Sequence, residues 1–399
     1  MKHRTSLNRR NFVQWMGAAS LGVMGTRASW LMAEDKPGAP LRFAYAGFAG
    51  SGRKASAGGI QVFAIRGERW TPTQTVASES PAFLALDPTQ RFLYAVNETE
   101  MHHGLPTGTI EAYAIDAKHG GLTLLNRQPL SLSGVRPRHL AVAPDGRSVV
   151  VAIDGGGAYN VLPIGEDGRL QRVSGILKET GCGPNQEHQS SAHPQMVMFD
   201  TTGQHVLSAD MGSDRLSVFE VGTDGLSVCD ASTTEPGSGP RQMAMHPSGH
   251  LLFVANGLNA SLSCYEYDAA NGKILGRLQH VSAPAKNVSR QQGAGSLLMH
   301  PSGRFLYTLG GGSHAGGNAS DSITAWSVDS ATGAMRRVRS YPGPRSAHGM
   351  TMVADGSALL VLDGDGISRL EIDSTSGRLG GPAKLASVAS PISLAGKYL

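Results

Sequence analysis

One frame recurs six times along the 399-residue chain: a short apolar run, a tight turn, and a second apolar run ending in a polar residue. The copies read FLALDPTQRFLYAVNE, HLAVAPDGRSVVVAID, MVMFDTTGQHVLSAD, MAMHPSGHLLFVAN, LLMHPSGRFLYTLG and MTMVADGSALLVLD. Each is shaped as two period-2 strands around a tight turn. With the turn positions at Gln90, Gly146, Gly203, Gly249, Gly303 and Gly356, the spacing averages about 53 residues, the size of one four-stranded sheet rather than of a helical hairpin. A chain with this period folds as a β-propeller.

Length sets the number of blades. A further strand pair, LRFAYAG and GIQVFAI, precedes the first frame, and ISRLEID with a lone apolar stretch, ASPISLAG, follows the last. The leading pair and the trailing stretch can share one sheet, with Pro391–Leu394 pairing into the sheet of residues 41–47. Six frames plus this shared blade predict an all-β, seven-bladed propeller of four-stranded antiparallel blades, the ring closed by the C-terminal strand. Such closure leaves only short, protected sheet edges.

The N-terminus carries a separate signal. In LNRRNFVQWMGAASLGVMG a twin arginine, Arg9 and Arg10, precedes Phe12 and a short, weakly apolar segment, with small residues around Ala28 and Ala33. This order predicts a twin-arginine signal peptide over residues 1–33, read by the Tat export machinery, and a single propeller domain over 34–399 in the periplasm or otherwise outside the cytoplasm. The segment is too short and too weakly hydrophobic for a stable membrane span.

That leader also accounts for the basic balance. It holds five of the 35 Lys and Arg residues and no acid, leaving 30 cations against 31 anions. No basic patch interleaved with aromatics occurs elsewhere, so nucleic acid is not an expected partner. Cys182, Cys229 and Cys264 lack CxxC spacing, and His102, His103 and His314 lack metal-ligand spacing; neither a zinc site nor any other metal is predicted. No GxSxG elbow, HExxH helix or Walker loop is present, which leaves hydrolysis or isomerisation by a positioned general base and an anion-stabilising cation.

The period locates a functional face. Eight residues before each turn stand Ala82, Arg138, Gln195, Arg241, Gly295 and His348, all expected at one mouth of the central channel. Eight residues after each turn stand Glu98, Asp154, Met211, Gly257, Gly311 and Gly364, from neighbouring loops on the same face. Cations, two carboxylates and glycine-opened space there suit a small anion. Arg138, Glu98, His348 and Asp154 are the candidate substrate-binding residues; each could instead serve only blade-to-blade ion pairs or loop hydrogen bonds.

FLALDPTQRFLYAVNE, GCGPNQEHQSSAHPQMVMFD, ADMGSDRLSVFEV, GSGPRQMAMHPSGHLLFVAN and HPSGRFLY together resemble the seven-bladed lactonase family, over about residues 42–395. That family groups propeller-type bacterial 6-phosphogluconolactonases with fungal carboxymuconate cyclases. The resemblance implies hydrolysis of a sugar lactone without a cofactor, at a site that gathers a His, two Arg and a Glu. It marks His193 and Arg241 as the catalytic pair. It also marks two departures: Gly257 stands where the family has its Glu, and Gly311 where it has its second Arg. Three classes are left open: a hydrolase of sugar lactones, a propeller that binds a ligand or protein partner without catalysis, and a cyclase-like lyase or isomerase.

Overall fold

The computed structural model describes residues 42–48, 58–222, 225–282, 294–310, 322–344 and 346–397. The leader at 1–33 and the positions Gly311 and His314 lie outside the described residues.

Seven antiparallel sheets of four strands form the ring, as the repeat predicts. Six blades run consecutively through the chain. The second, for example, comprises Pro81–Leu86, Phe92–Asn97, Thr109–Ile115 and Leu122–Pro129 from the channel outward. The first blade is composite: Pro391–Lys397 forms its innermost strand and pairs with Arg42–Phe48, with Phe43 opposite Lys397 and Gly47 opposite Ser393. Ser393 Oγ also donates to the Pro81 carbonyl at 3.0 Å, tying this closure to the second blade.

The second run of each frame departs from the alternation expected of it. His205–Asp210, Leu251–Asn256 and Ala358–Asp363 are buried at every position. These strands lie in the middle of a blade, covered on both faces by the adjacent blades, so both of their side-chain rows are apolar or paired. The outermost strands, such as Arg69–Ala77 and Met335–Pro342, are half-exposed instead.

Among the described residues the apolar core divides into seven clusters, each bridging neighbouring blades. Tyr45 and Ile60 meet Leu84 and Leu93 between the first and second; Leu207 and Leu216 meet Met243 and Val254 between the fourth and fifth; Leu360 and Leu362 meet Ala44 and Ala46 across the closure. No blade buries its surface alone, so the ring is stable only as a whole.

The turns used to count the repeat lie on one face, with Gly146, Gly203, Gly249, Gly303 and Gly356 all at φ between 72° and 78°. Gln90 takes the same left-handed conformation in the first frame at φ 56°. The opposite face carries the chain ends of the inner strands and hence the channel mouth predicted above.

Candidate active site

Five of the seven innermost strands begin with proline: Pro81, Pro137, Pro194, Pro240 and Pro391. These strands border the channel on one side, so their first residue has no ladder bond to lose, and proline fits there. One residue further on, the register slips. Pro81 faces Asn97 and Phe83 faces Val96, leaving Ala82 as an extra residue; Arg138, Gln195, Arg241, Gly295 and Ile392 occupy the same position in their own blades. A β-bulge re-aims its side chain and recurs next to functional sites. Five of the six residues eight before a turn are therefore bulge residues at the mouth, and Ile392 is a further one, hidden from counting because the closing strand lacks its own turn. His348, just ahead of Gly349–Met352, holds the corresponding place in the last blade and is exposed.

Four adjacent blades build the charged cluster. Asp154, nearly buried at the end of Ser148–Ile153, is its centre. Its carboxylate accepts from Gln195 Nε2 at 2.7 Å, faces His193 Nδ1 at 3.3 Å and pairs with Arg136 at 3.2 Å. Burial opposes the ionised form of Asp154, but the hydrogen bond with His193 and the charges of Arg138, His193 and Arg136 outweigh it and hold the carboxyl below its usual range. Arg138 pairs with Glu98 of the preceding blade at 3.1 Å, so those two predicted residues form a bridge between blades.

His193 is fixed on several sides. Its N–H donates to Asp210 Oδ1 at 2.8 Å, and its carbonyl accepts from Met211 N at 3.1 Å. Ring Nδ1 faces two acceptors, the Asp154 carbonyl at 3.2 Å and its carboxylate, so the neutral ring carries its proton on Nδ1. The Nε2 lone pair then points to Ser191 Oγ, 3.4 Å away. The hydrogen bond to Asp154 raises the His193 pKa above the ordinary value, against the opposing effect of burial.

Arg241 differs from the other two arginines. Among the described residues it has no carboxylate within ion-pair distance. Burial, and then the charge of Arg138, lower its pKa, while Asp154 and Glu98 act in the opposite sense. A guanidinium nonetheless stays charged at any working pH. A cation whose burial is so incompletely compensated gains from any anion that enters. Beside it, a Cβ added at Gly257 would come within 3.3 Å of Arg241 Cδ, so the glycine leaves room along the arginine stem.

Two residues not singled out from the sequence position this pair. Asp210 accepts from the backbone of His193, Gly212 and Ser213 at 2.8–3.1 Å. Asp214 accepts from Gly237 N and Gly239 N at 2.6 and 2.7 Å, gripping the loop that leads into Arg241. The DMGSD corner thus holds the loops of His193 and Arg241 through its two carboxylates. Gly212 is required between them: a Cβ there would lie 1.9 Å from the Ser191 carbonyl and 2.7 Å from the His193 ring. Arg136 was missed because its reach to Asp154 depends on a left-handed backbone, φ 52°, that sequence spacing does not show.

Arg136 Nε, Arg138 Nε and Asp210 Oδ2 are buried without a protein partner. Native proteins leave few polar atoms in that condition, and a functional site is one place where they do. Among the described residues no group of three or more His, Cys, Asp or Glu could hold a metal ion, and no helix is long and apolar enough to cross a membrane.

Seven four-stranded sheets with arginines and a histidine gathered at one mouth define a seven-bladed propeller with a polar channel entrance. The sequence profile of the lactonase, seven-bladed β-propeller family matches residues 46–395, and the chain belongs to that family. It is similar to 6-phosphogluconolactonase of Bacillus subtilis, 27% identical over 292 residues, 72% of this chain and 79% of that one. It is similar also to 6-phosphogluconolactonase of Formosa agariphila, 28% identical over 71% of this chain and 79% of that one. Among solved structures, a Bacteroides fragilis protein described as a candidate 6-phosphogluconolactonase superposes with a TM-score of 0.79 at 25% identity, covering 91% of this chain and 99% of its own. A periplasmic gluconolactonase of Pseudomonas aeruginosa shares the fold, with a TM-score of 0.77 at 23% identity over 90% and 99% of the two chains.

Proposed function

We propose that the protein is an exported hydrolase that opens unphosphorylated sugar lactones to the corresponding sugar acids. The observation that carries this reading is Arg241, a cation without an ion-pair partner among the described residues, at the same mouth as the His193–Asp154 pair. In lactone hydrolysis the carbonyl oxygen becomes an oxyanion and the product a carboxylate, and a fixed guanidinium favours both. Histidine supplies the base that must remove a proton from the attacking group. Kinship with proteins named 6-phosphogluconolactonase supports the reaction class. The Arg9–Arg10 leader supports an exported site of action, where phosphorylated sugar intermediates are not the expected pool.

The test is turnover by the purified domain, residues 34–399, of a panel of free and 6-phosphorylated aldonolactones. Hydrolysis of the free lactones well above the spontaneous rate is expected. Preference for the phosphorylated members would overturn the substrate assignment. Gly257 favours a second reading, a propeller that binds sugar acids without turning over lactones, because it removes the carboxylate that the family resemblance places beside Arg241. Tight binding of a sugar acid without any hydrolysis would decide for that reading.

A further inference from the structure

Resting on the hydrolase reading, we infer that Ser191 is a nucleophile, and that Ser191, His193 and Asp154 act as a serine–histidine–aspartate triad assembled across two blades. The Oγ of Ser191 is 3.4 Å from His193 Nε2, and His193 Nδ1 is 3.3 Å from Asp154 Oδ1. The first distance is long for a hydrogen bond, as catalytic pairs commonly are before substrate binds. A triad is recognised by geometry and roles rather than by sequence order or motif, so the absence of a GxSxG elbow does not count against it.

Each member is fixed by neighbours that have no other evident task. Asp154 is held by Gln195 Nε2 and Arg136, so its remaining carboxylate capacity is turned to the histidine. The Asp154 carbonyl adds a second acceptor on Nδ1, leaving Nε2 as the basic atom on the serine side. The loop before Ser191 is anchored by the fully buried Gln189, whose Nε2 donates to the Met211 carbonyl at 2.9 Å. Gly212 admits the Ser191 carbonyl so closely that no side chain could stand there. Ser191 itself is exposed and open to a substrate at the mouth.

In the first half-reaction Ser191 Oγ bonds to the lactone carbonyl carbon while its proton passes to His193 Nε2. The bond from that carbon to the ring oxygen then breaks, and the ring oxygen takes the proton and becomes a hydroxyl of the opened sugar. The sugar acid is now esterified to Ser191. In the second half a water gives a proton to His193 and bonds to the same carbon, and the ester bond breaks with return of that proton to Oγ. The sugar acid leaves, and its carboxyl proton goes to solvent. The sum is lactone plus water to sugar acid, with no other reactant.

The experiment combines lactone kinetics with labelling by a fluorophosphonate, a probe that reacts with activated serines whatever the natural substrate. Expected are one adduct per chain on the peptide holding Ser191, its loss in Ser191→Ala, and at least tenfold slower labelling in His193→Gln. Lactone turnover should fall about 1,000-fold in Ser191→Ala, with an unchanged melting temperature. Wild-type turnover with Ser191→Ala within threefold of it would overturn the triad and leave the hydrolase reading standing, with His193 activating water directly. An adduct on Ser191 without turnover of any lactone would uphold the triad and overturn the substrate class. Neither adduct nor turnover would overturn both.

Discussion

At the scale of single residues, the site pairs a cation with a histidine whose proton affinity is set by one carboxylate. Arg241→Ala should remove about 2.7–4 kcal/mol of transition-state stabilisation, a fall of about 100- to 1,000-fold in kcat/KM for lactones, because a fixed oxyanion donor is worth about that much. Gly257→Glu makes a complementary case. Its backbone is not in the left-handed region and the added Cβ would meet Arg241 Cδ at 3.3 Å, so a small shift of a flexible stem accommodates it. The new carboxylate would neutralise Arg241, and affinity for sugar acids, read by calorimetry, should fall about tenfold. The pH profile tests the histidine. Only neutral His193 can accept a proton, so kcat/KM should rise with pH through an apparent pKa above the ordinary 6.5. In Asp154→Asn the largest raising influence, that of the side-chain carboxylate, goes while burial, the backbone bond and Asp210 remain, so the inflection should move to lower pH. His193 and Arg241 were legible in the sequence through the family resemblance, and Glu98, Arg138 and Asp154 through uniform strand lengths. The DMGSD corner was visible as a motif, but the contacts of Asp210, Asp214 and Ser191 were not, because they arise where two loops meet in space.

At the scale of elements, the turns opposite the mouth form a chain of contacts around the ring. His300 Nε2 donates to the Gly356 carbonyl of the next blade at 3.0 Å, and its Nδ1 accepts from Ser302 N, so both ring nitrogens are committed in the neutral form. His246 packs against the turn glycine of the next blade, Gly303, without a hydrogen-bond partner for its Nε2, and its Nδ1 accepts from Ser248 N. Burial lowers the pKa of both, and pushes that of His139, stacked on Phe83, down to about 3. The sign follows from linkage. The unfolded chain takes up protons at these histidines below about pH 6.5 and the folded chain does not, so stability falls as pH drops through 6.5 and, for His139, continues to fall to about pH 3. His193 acts oppositely, stabilising below 6.5 and losing that contribution as pH rises through its raised pKa. Urea titrations from pH 8 to pH 4 should show a net loss toward acid, reduced in His139→Phe. The turn glycines were readable because only a left-handed turn places glycine at one fixed spacing; the double-sided burial of the middle strands was not, because a six-residue apolar run looks the same whether one face is covered or two.

At the scale of the whole molecule, seven inter-blade clusters make each blade dependent on its neighbours, and the closing strand joins the two ends of the chain. Deleting residues 388–399 should lower the melting temperature by about 10 °C or more, since it removes the inner strand of the first blade and the bond from Ser393 to the second. A melting temperature unchanged by the deletion would contradict closure as a source of stability. For the leader, Arg9→Lys with Arg10→Lys should leave precursor in the cytoplasm, measured by fractionation, while Arg241→Ala exports normally. The composite blade also imposes an order of events. Its inner strand, Pro391–Lys397, follows the other six blades in sequence, and its partner, Arg42–Phe48, precedes them. Until that strand docks, the circle stays open and the first blade lacks its innermost strand. Closure of the ring is thereby deferred until Pro391–Lys397 is free to pair, and this one sheet works as the clasp of the circle.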